Sequence, residues 1–146
     1  MAEENTTVDY EKNKIKTYDN WDLYLYSKQN PLIGRCYAWA KRDADLVTDM
    51  NEDERSELFT KVIPEWNTAV KQLYNHSRPN ISCLGNNVPH LHWHLIPRYD
   101  EAINVYGSQF RDSDSSRNYV HVKKSKLSEE VHMRIRDDIS SAIKCL

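Results

Sequence analysis

The sequence alternates histidine with apolar residues over the run Pro89-His90-Leu91-His92-Trp93-His94-Leu95-Ile96-Pro97-Arg98. Successive side chains of a β-strand point to opposite faces of its sheet. In a strand, therefore, the three histidines share one face, and the apolar residues between them pack into the core beneath. A helix would scatter the three imidazoles around its axis, so the spacing predicts a strand over residues 90–97.

From the residues alone, three interpretations of His90, His92 and His94 are open. The imidazoles are surface side chains on a strand, ligands of one Zn²⁺ ion, or groups that act on phosphate. Three of the six histidines fall within this run, which argues against chance, and no acidic or cysteine ligand stands nearby in the sequence. A neutral imidazole is a good nucleophile and protonated neighbours stabilise oxyanions, so phosphate chemistry is favoured.

The rest of the chain predicts an α+β fold. One or two strands are expected over residues 15–26, one over 35–41 and one over 80–84. A long helix is predicted over 51–74, where Asn51 and Glu54 suit a capping box and Pro64 bends or splits the helix. An irregular loop over 100–117 and a short strand over 119–122 precede a final helix capped by Ser128. The expected architecture is a mainly antiparallel sheet of about five strands, packed with one long central helix and a C-terminal helix.

The composition is typical of a globular protein of one domain, with 39% hydrophobic and 29% charged residues. Residues 1–14 are polar and are predicted to form a flexible leader to a single domain over 15–146. The net charge of −2 provides no field that attracts nucleic acid. No run approaches the roughly 20 apolar residues of a membrane span. Three cysteines without a CxxC spacing argue against a disulfide framework and favour a reducing, cytoplasmic compartment.

The run of histidines resembles the signature of the histidine triad (HIT) family, in which three histidines alternate with apolar residues as His-φ-His-φ-His-φ-φ. The resemblance extends to Pro31-Leu32-Ile33-Gly34 before a strand, to the capped helix near Asn51 and to Asn80 ahead of the triad, and it covers about residues 23–99. Gly85-Asn86 ahead of the triad and Trp93 within it are similar to a bacterial-type branch of diadenosine polyphosphate hydrolases. The resemblance implies a HIT-like fold.

The resemblance also implies a mechanism. His92 attacks the α-phosphorus of a nucleotide and forms a covalent nucleotidyl-histidine, from which water releases a nucleoside monophosphate. His92 is held in the required tautomer by a hydrogen bond from its other ring nitrogen to the backbone carbonyl of His90. His94 stabilises charge on the phosphate or the bridging oxygen, and His90 is mainly a positioning residue.

Further residues match substrate-binding positions of the family. Asn80 is expected to contact phosphate or ribose, and Asn86 and Asn87 to lie over the phosphates, although asparagine also favours tight turns. Ser27 stands where the family usually has a longer acidic or amide residue on the ribose hydroxyls. Arg35 replaces a histidine found in many members, and it is expected either to bind phosphate or to pair with a carboxylate.

Three lone histidines and one arginine complete the set of candidates. Arg98 is expected to form a surface salt bridge rather than a phosphate or dimer contact. His76, His121 and His132 stand apart from the triad and are expected to be exposed to solvent.

The implied substrate is a small purine nucleotide, either a dinucleoside polyphosphate or a nucleoside phosphoramidate. No catalytic metal is implied, although Mg²⁺ is a counter-ion for polyphosphate, and the family suggests a homodimer. A related branch that transfers nucleotides to phosphate has glutamine in place of the third histidine; this chain keeps His94, which favours hydrolysis. The alternative is a nucleotide-binding module with little turnover.

Overall fold

A five-stranded antiparallel sheet organises residues 11–146, the part of the chain that the computed structural model describes. Its strands are β1 (Lys14–Thr17), β2 (Trp21–Leu25), β3 (Cys36–Ala40), β4 (Arg78–Ser82) and β5 (His92–Arg98). They lie in the order β1-β2-β3-β5-β4, and each neighbouring pair is antiparallel. The predicted α+β fold is confirmed, and the strand predicted from residue 90 begins two residues later, at His92.

The long helix is divided where Pro64 enters it. Helix α1 (Glu52–Glu57) continues through a π-helical turn (Leu58–Val62) into α2 (Ile63–Tyr74). The predicted capping box is present, because the Asn51 and Glu54 side chains accept hydrogen bonds from each other's backbone N–H at 2.8 and 2.9 Å. Proline has no N–H to donate to a helical hydrogen bond. In the π-helical turn before Pro64, the N–H of Ile63 donates to the carbonyl of Leu58. The predicted interruption is therefore confirmed.

Helix α2 covers one face of the sheet, and α3 (Glu129–Lys144) packs beside it and against β1. On β3 the small residues Cys36, Ala38 and Ala40 are fully buried on this side, as their alternation predicts. The indole of Trp66 in α2 donates to the carbonyl of Gly34 at 2.9 Å. The opposite face of the sheet is left for the polar residues of β5.

Two local predictions in the second half of the chain are wrong. The predicted loop over 100–117 contains a hairpin of β6 (Ile103–Val105) and β7 (Ser108–Phe110). In its turn, Tyr106 and Gly107 have φ angles of 48° and 83°. Turns of this geometry usually contain Asn-Gly, and because this turn does not, the sequence did not predict the hairpin. The strand predicted over 119–122 is a 3₁₀ turn (Tyr119–His121), because the Asn118 side chain accepts from the Val120 N–H and starts a turn.

Two helical residues that match the apolar spacing lie outside the core. Phe59 and Leu73 are 52% and 38% exposed, although their spacing predicts burial. At the end of α3, Ile143 is buried in place of the expected Leu146. Helical spacing sets a side chain's direction, but burial depends on whether another element covers that direction.

The predicted flexible leader lies largely outside the described residues, which begin at residue 11. At its end Asn13 is buried and Lys14 already belongs to β1. The single domain over 15–146 stays a prediction. None of the helices in residues 11–146 combines the length and apolar character needed to span a bilayer.

Candidate active site

The histidines of β5 lie on the face of the sheet opposite α2. In the register of the sheet His92 is opposite Trp39 and His94 is opposite Tyr37 on β3. The His92 and His94 rings are 5.0 Å apart between centroids. His90 precedes the strand in a turn closed by its own N–H, which donates to the carbonyl of Val88 at 2.8 Å. The structure therefore brings the three histidines together, two of them on the strand.

His92 is fixed in one tautomer by the residue two positions before it. Its Nδ1 lies 2.6 Å from the carbonyl oxygen of His90, and because a carbonyl oxygen can only accept, Nδ1 carries the hydrogen. The predicted hydrogen bond is thus confirmed, and Nε2 retains its lone pair. Burial is the main cause that lowers the pKa of His92 below its ordinary 6.5, so the ring is neutral at pH 7.

His94 is also held neutral. Burial first, and then the positive charge of Arg35, lower its pKa to about 3. Its Nδ1 is buried without a hydrogen-bond partner in residues 11–146. A neutral imidazole has one donor and one acceptor nitrogen, so His94 can donate a single hydrogen bond to an oxygen placed beside His92.

Arg35 lies beyond His94 and is almost completely buried, at 6% exposed. Its guanidinium stacks 3.9 Å from the ring centroid of Tyr26 and 5.2 Å from that of Tyr119. Within residues 11–146 no carboxylate pairs with it, and its Nε has no hydrogen-bond partner. Of the two predicted roles, phosphate binding is the one that this environment leaves open.

The loop before Arg35 is held by a buried glutamine that the sequence did not single out. The Gln29 amide accepts from the Gly34 N–H and donates to the Arg35 carbonyl, both at 2.8 Å. Ser27 lies half-buried in the same loop, and Asn86 and Asn87 are exposed between β4 and β5. The substrate-binding roles of these three residues stay predictions.

The expectation of a surface salt bridge at Arg98 is wrong, because the residue is buried. Its guanidinium forms a bidentate pair with Asp112, at 2.7 and 3.0 Å. It also donates to the Asn80 side-chain oxygen at 3.1 Å and to the backbone carbonyls of Asp114 and Arg117. Asn80 lies opposite Ile96 on β5 rather than opposite His94. Its side-chain oxygen accepts from Arg98, which leaves its amide nitrogen for a ligand.

Two further residues near the triad were missed by the sequence analysis. Ser82 is the residue of β4 opposite His94, and its hydroxyl lies 2.8 Å from that of Tyr119. Tyr119 comes from the segment after the β6–β7 hairpin, far from the triad in sequence. No motif pointed to it, and the strand wrongly predicted there placed it in the wrong kind of element.

The expectation that the lone histidines are exposed is wrong for two of the three. His76 and His132 are buried, and each Nε2 lies within 2.8 Å of an asparagine side-chain oxygen, of Asn67 and Asn13 respectively. Burial lowers the pKa of His76 to about 4. His121 is exposed, as expected.

The zinc interpretation gains no support from the geometry of residues 11–146. No cluster of three or more His, Cys, Asp or Glu side chains there could hold a metal ion. His92 Nδ1 and His90 Nε2 each lie within 2.7 Å of a carbonyl oxygen and therefore carry hydrogens rather than lone pairs.

Comparison with known proteins identifies relatives of this arrangement. A family model described as HIT domain matches residues 13–101. A hypothetical histidine triad nucleotide-binding protein from Sulfolobus tokodaii is 16% identical, with a TM-score of 0.72 and coverage of 92% of this chain and 85% of that chain. The diadenosine triphosphate hydrolase of Plasmodium falciparum, solved with cyclomarin A, is 15% identical, with a TM-score of 0.64 and coverage of 92% and 78%.

A Zn-bound histidine triad family protein from Mycobacterium smegmatis is 18% identical, with a TM-score of 0.56 and coverage of 91% of this chain and 87% of that chain. The comparison with curated protein sequences gave no match. At these identities the likeness to solved structures shows a common fold.

Proposed function

Because this chain belongs to the HIT domain family, we propose that it is a nucleotidyl hydrolase in which His92 is the nucleophile. The substrate is a purine nucleotide with a phosphoanhydride or phosphoramidate bond at its α-phosphate. The product is a nucleoside monophosphate. Among the neighbours in fold, one is described as a nucleotide-binding protein and another as a diadenosine triphosphate hydrolase, which is in keeping with this proposal.

The observation that carries the proposal is the 2.6 Å hydrogen bond from His92 Nδ1 to the His90 carbonyl. It leaves the Nε2 lone pair of a neutral imidazole directed away from the backbone. A nucleophile needs that lone pair, and the lowered pKa of His92 keeps it unprotonated at pH 7.

The reaction has two steps. His92 Nε2 forms a bond to the α-phosphorus while the bond from phosphorus to the leaving group breaks, and the leaving group departs with the bonding electron pair. Water then attacks the phosphorus and loses a proton to the solvent, while the bond to Nε2 breaks and its electron pair returns to the imidazole, which releases the monophosphate. His94, 5.0 Å from His92 between ring centroids, donates a hydrogen bond to an oxygen on which charge develops.

The remaining assignments belong to the same proposal. Binding of the substrate is assigned to five further residues, which are Asn80 through its amide nitrogen, Asn86, Asn87, Ser27 and Arg35. No catalytic metal is needed, and Mg²⁺ serves as counter-ion of a polyphosphate. The cytoplasmic location stays a prediction.

A homodimer is proposed, with its interface at an exposed apolar surface. Phe59 is 52% exposed and packs edge-on against Trp93, with ring centroids 5.7 Å apart. Trp66 is completely buried within the subunit and belongs to its core.

The test is release of AMP by the purified protein from diadenosine tetraphosphate and, separately, from adenosine 5′-phosphoramidate. His92→Ala is the test variant, and His121→Ala, a change at the exposed histidine, is the matched control. We expect AMP from the wild type and the control but not from His92→Ala. Retained adenine-nucleotide binding without AMP release by the wild type would instead identify a binding module.

A further inference from the structure

A group of cations lies at one end of the histidine face. Trp39, Tyr37 and Arg35 are every second residue along β3 and just before it, so they share one face of the sheet. Trp39 is opposite His92 and Tyr37 is opposite His94. Arg35 therefore lies beyond His94 when viewed from His92, about 6–7 Å along the strand from Tyr37. The nucleophile and the arginine are thus on opposite sides of His94.

Two lysines belong to loops that are bridged to each other. Asn30 and Ser125 pair through backbone hydrogen bonds of 3.1 and 2.9 Å. This bridge joins the segment that contains Lys28 to the segment that contains Lys124. Burial and the charges of Arg35 and Lys28 lower the pKa of Lys124, and Lys124 in turn lowers the pKa of His94, so these groups lie within electrostatic reach of one another.

The positive charge at this end is not balanced by the protein. Within residues 11–146 no ion pair involves Arg35, Lys28 or Lys124. Asp22 is opposite Trp39 and therefore about 13 Å along the strand from Arg35, and Asp112 is already paired with Arg98. Burying a guanidinium without a partner is costly, and a bound anion removes that cost.

We propose that Arg35, Lys28 and Lys124 form a subsite for the phosphates of the leaving group, and that the preferred substrates are polyphosphates rather than phosphoramidates. This inference rests on the proposed function. A phosphate chain whose α-phosphorus lies at His92 and which runs past His94 along the strand reaches Arg35.

The chemistry of the three side chains suits an anionic leaving group. The guanidinium stays protonated and acts as a donor to phosphate oxygens, not as a proton source. A nucleoside diphosphate leaving group carries several negative oxygens that match the three cations. An amine leaving group offers none, and it becomes cationic when protonated.

Part of the subsite comes from outside the region that matches the family model. That match ends at residue 101, whereas Tyr119, which contacts the Arg35 guanidinium, and Lys124 follow it. The C-terminal segment therefore contributes Lys124 to the subsite, whereas Lys28 and Arg35 lie within the matched region.

The test compares kcat/KM for diadenosine triphosphate and for adenosine 5′-phosphoramidate in Lys28→Gln, Lys124→Gln and the double variant. Lys126→Gln is the matched control, because it removes a neighbouring lysine whose charge acts on His132. We expect Lys124→Gln to lower kcat/KM for diadenosine triphosphate at least about tenfold, as for one lost charge-assisted hydrogen bond. In the same variant, kcat/KM for adenosine 5′-phosphoramidate should change by less than about twofold.

Binding of inorganic pyrophosphate, measured by calorimetry, separates this inference from the proposed function. If neither substrate is cleaved, the proposed hydrolase activity is rejected. If pyrophosphate nevertheless binds and Lys124→Gln weakens that binding, the anion subsite is supported. Equal losses for both substrates, no loss for either, or pyrophosphate binding that is indifferent to Lys28 and Lys124 would overturn the subsite while leaving the hydrolase intact.

Discussion

The imidazole of His90 lies flat against the indole of Trp39, with ring centroids 4.0 Å apart and planes inclined by 8°. Its Nε2 also donates to the carbonyl of Ala40 at 2.7 Å. Both contacts hold His90 to β3, while its own carbonyl accepts from His92. The ring of the first histidine therefore positions its backbone, and the backbone orients His92, the proposed nucleophile.

Replacing His90 should consequently cost less activity than replacing His92. His90→Ala keeps the carbonyl but loses the stacking and the hydrogen bond, so we expect kcat to fall about 10–100-fold. His92→Ala removes the nucleophile and should lower kcat at least about a thousandfold. His90→Phe, which keeps the stacking on Trp39, should recover part of the loss. Equal losses for His90→Ala and His92→Ala would contradict the positioning role.

The pH dependence of kcat/KM should report the pKa of His92. The residue attacks only when neutral, and burial lowers its pKa from 6.5. Protonation as the pH falls removes the lone pair of the proposed nucleophile, so kcat/KM should fall along an acid limb that is centred below pH 6.5. Below the pKa of His92 it should fall about tenfold per pH unit. An acid limb already centred at or above pH 6.5 in the free enzyme would contradict this interpretation.

The buried pair of Arg98 and Asp112 should contribute strongly to stability. Asp112→Asn leaves a buried guanidinium without its counter-charge, and we expect the free energy of unfolding to fall by about 3–5 kcal/mol. Asp137→Asn is the control, because its pair with Arg136 is exposed and should contribute less than about 1 kcal/mol. Urea unfolding of both variants measures their free energies of unfolding. Similar losses of stability in the two variants would show that burial does not determine how much an ion pair contributes.

Gly34 should tolerate no side chain, for two separate reasons. Its φ is 99°, and a Cβ placed there would lie 2.9 Å from the Val70 Cγ1 atom. Gly107 has a φ of 83° but nothing within 4 Å of such a Cβ. We expect Gly107→Ala to lower the free energy of unfolding by about 1–2 kcal/mol from backbone conformation alone. Gly34→Ala should lower it by a further 1–3 kcal/mol, roughly, because the added methyl group overpacks the core. Equal losses of unfolding free energy in urea for the two variants would show that the contact with Val70 costs nothing.

Local pattern accounts for much of the fold and for the centre of the site. Alternation with period two predicts β5 and the common face of His92 and His94, and the capping box of Asn51 and Glu54 marks the start of a helix. These features depend on residues within a few positions of one another. The pairing of His92 Nδ1 with the His90 carbonyl follows in the same way once the family is identified.

The errors arise where local chemistry gives no signal or a misleading one. The hairpin that turns at Tyr106 and Gly107 lacks the usual turn residues, and the 3₁₀ turn at Tyr119 depends on a single Asn118 cap. Arg98 and His76 are polar residues for which exposure is the ordinary expectation. Each is buried because a side chain that lies 9 or 14 residues away in the sequence contacts it and forms a hydrogen bond with it.

The strand of histidines, the capped and divided helix, and the small residues of β3 that face the core follow from local sequence patterns, because period and capping act over a few residues. The pairing of Arg98 with Asp112 and the contacts of the Arg35 guanidinium with the rings of Tyr26 and Tyr119 depend on tertiary packing. Those contacts join segments from different parts of the chain. Burial, charge and hydrogen bonding between them depend on which elements pack together, and no local pattern contains that information.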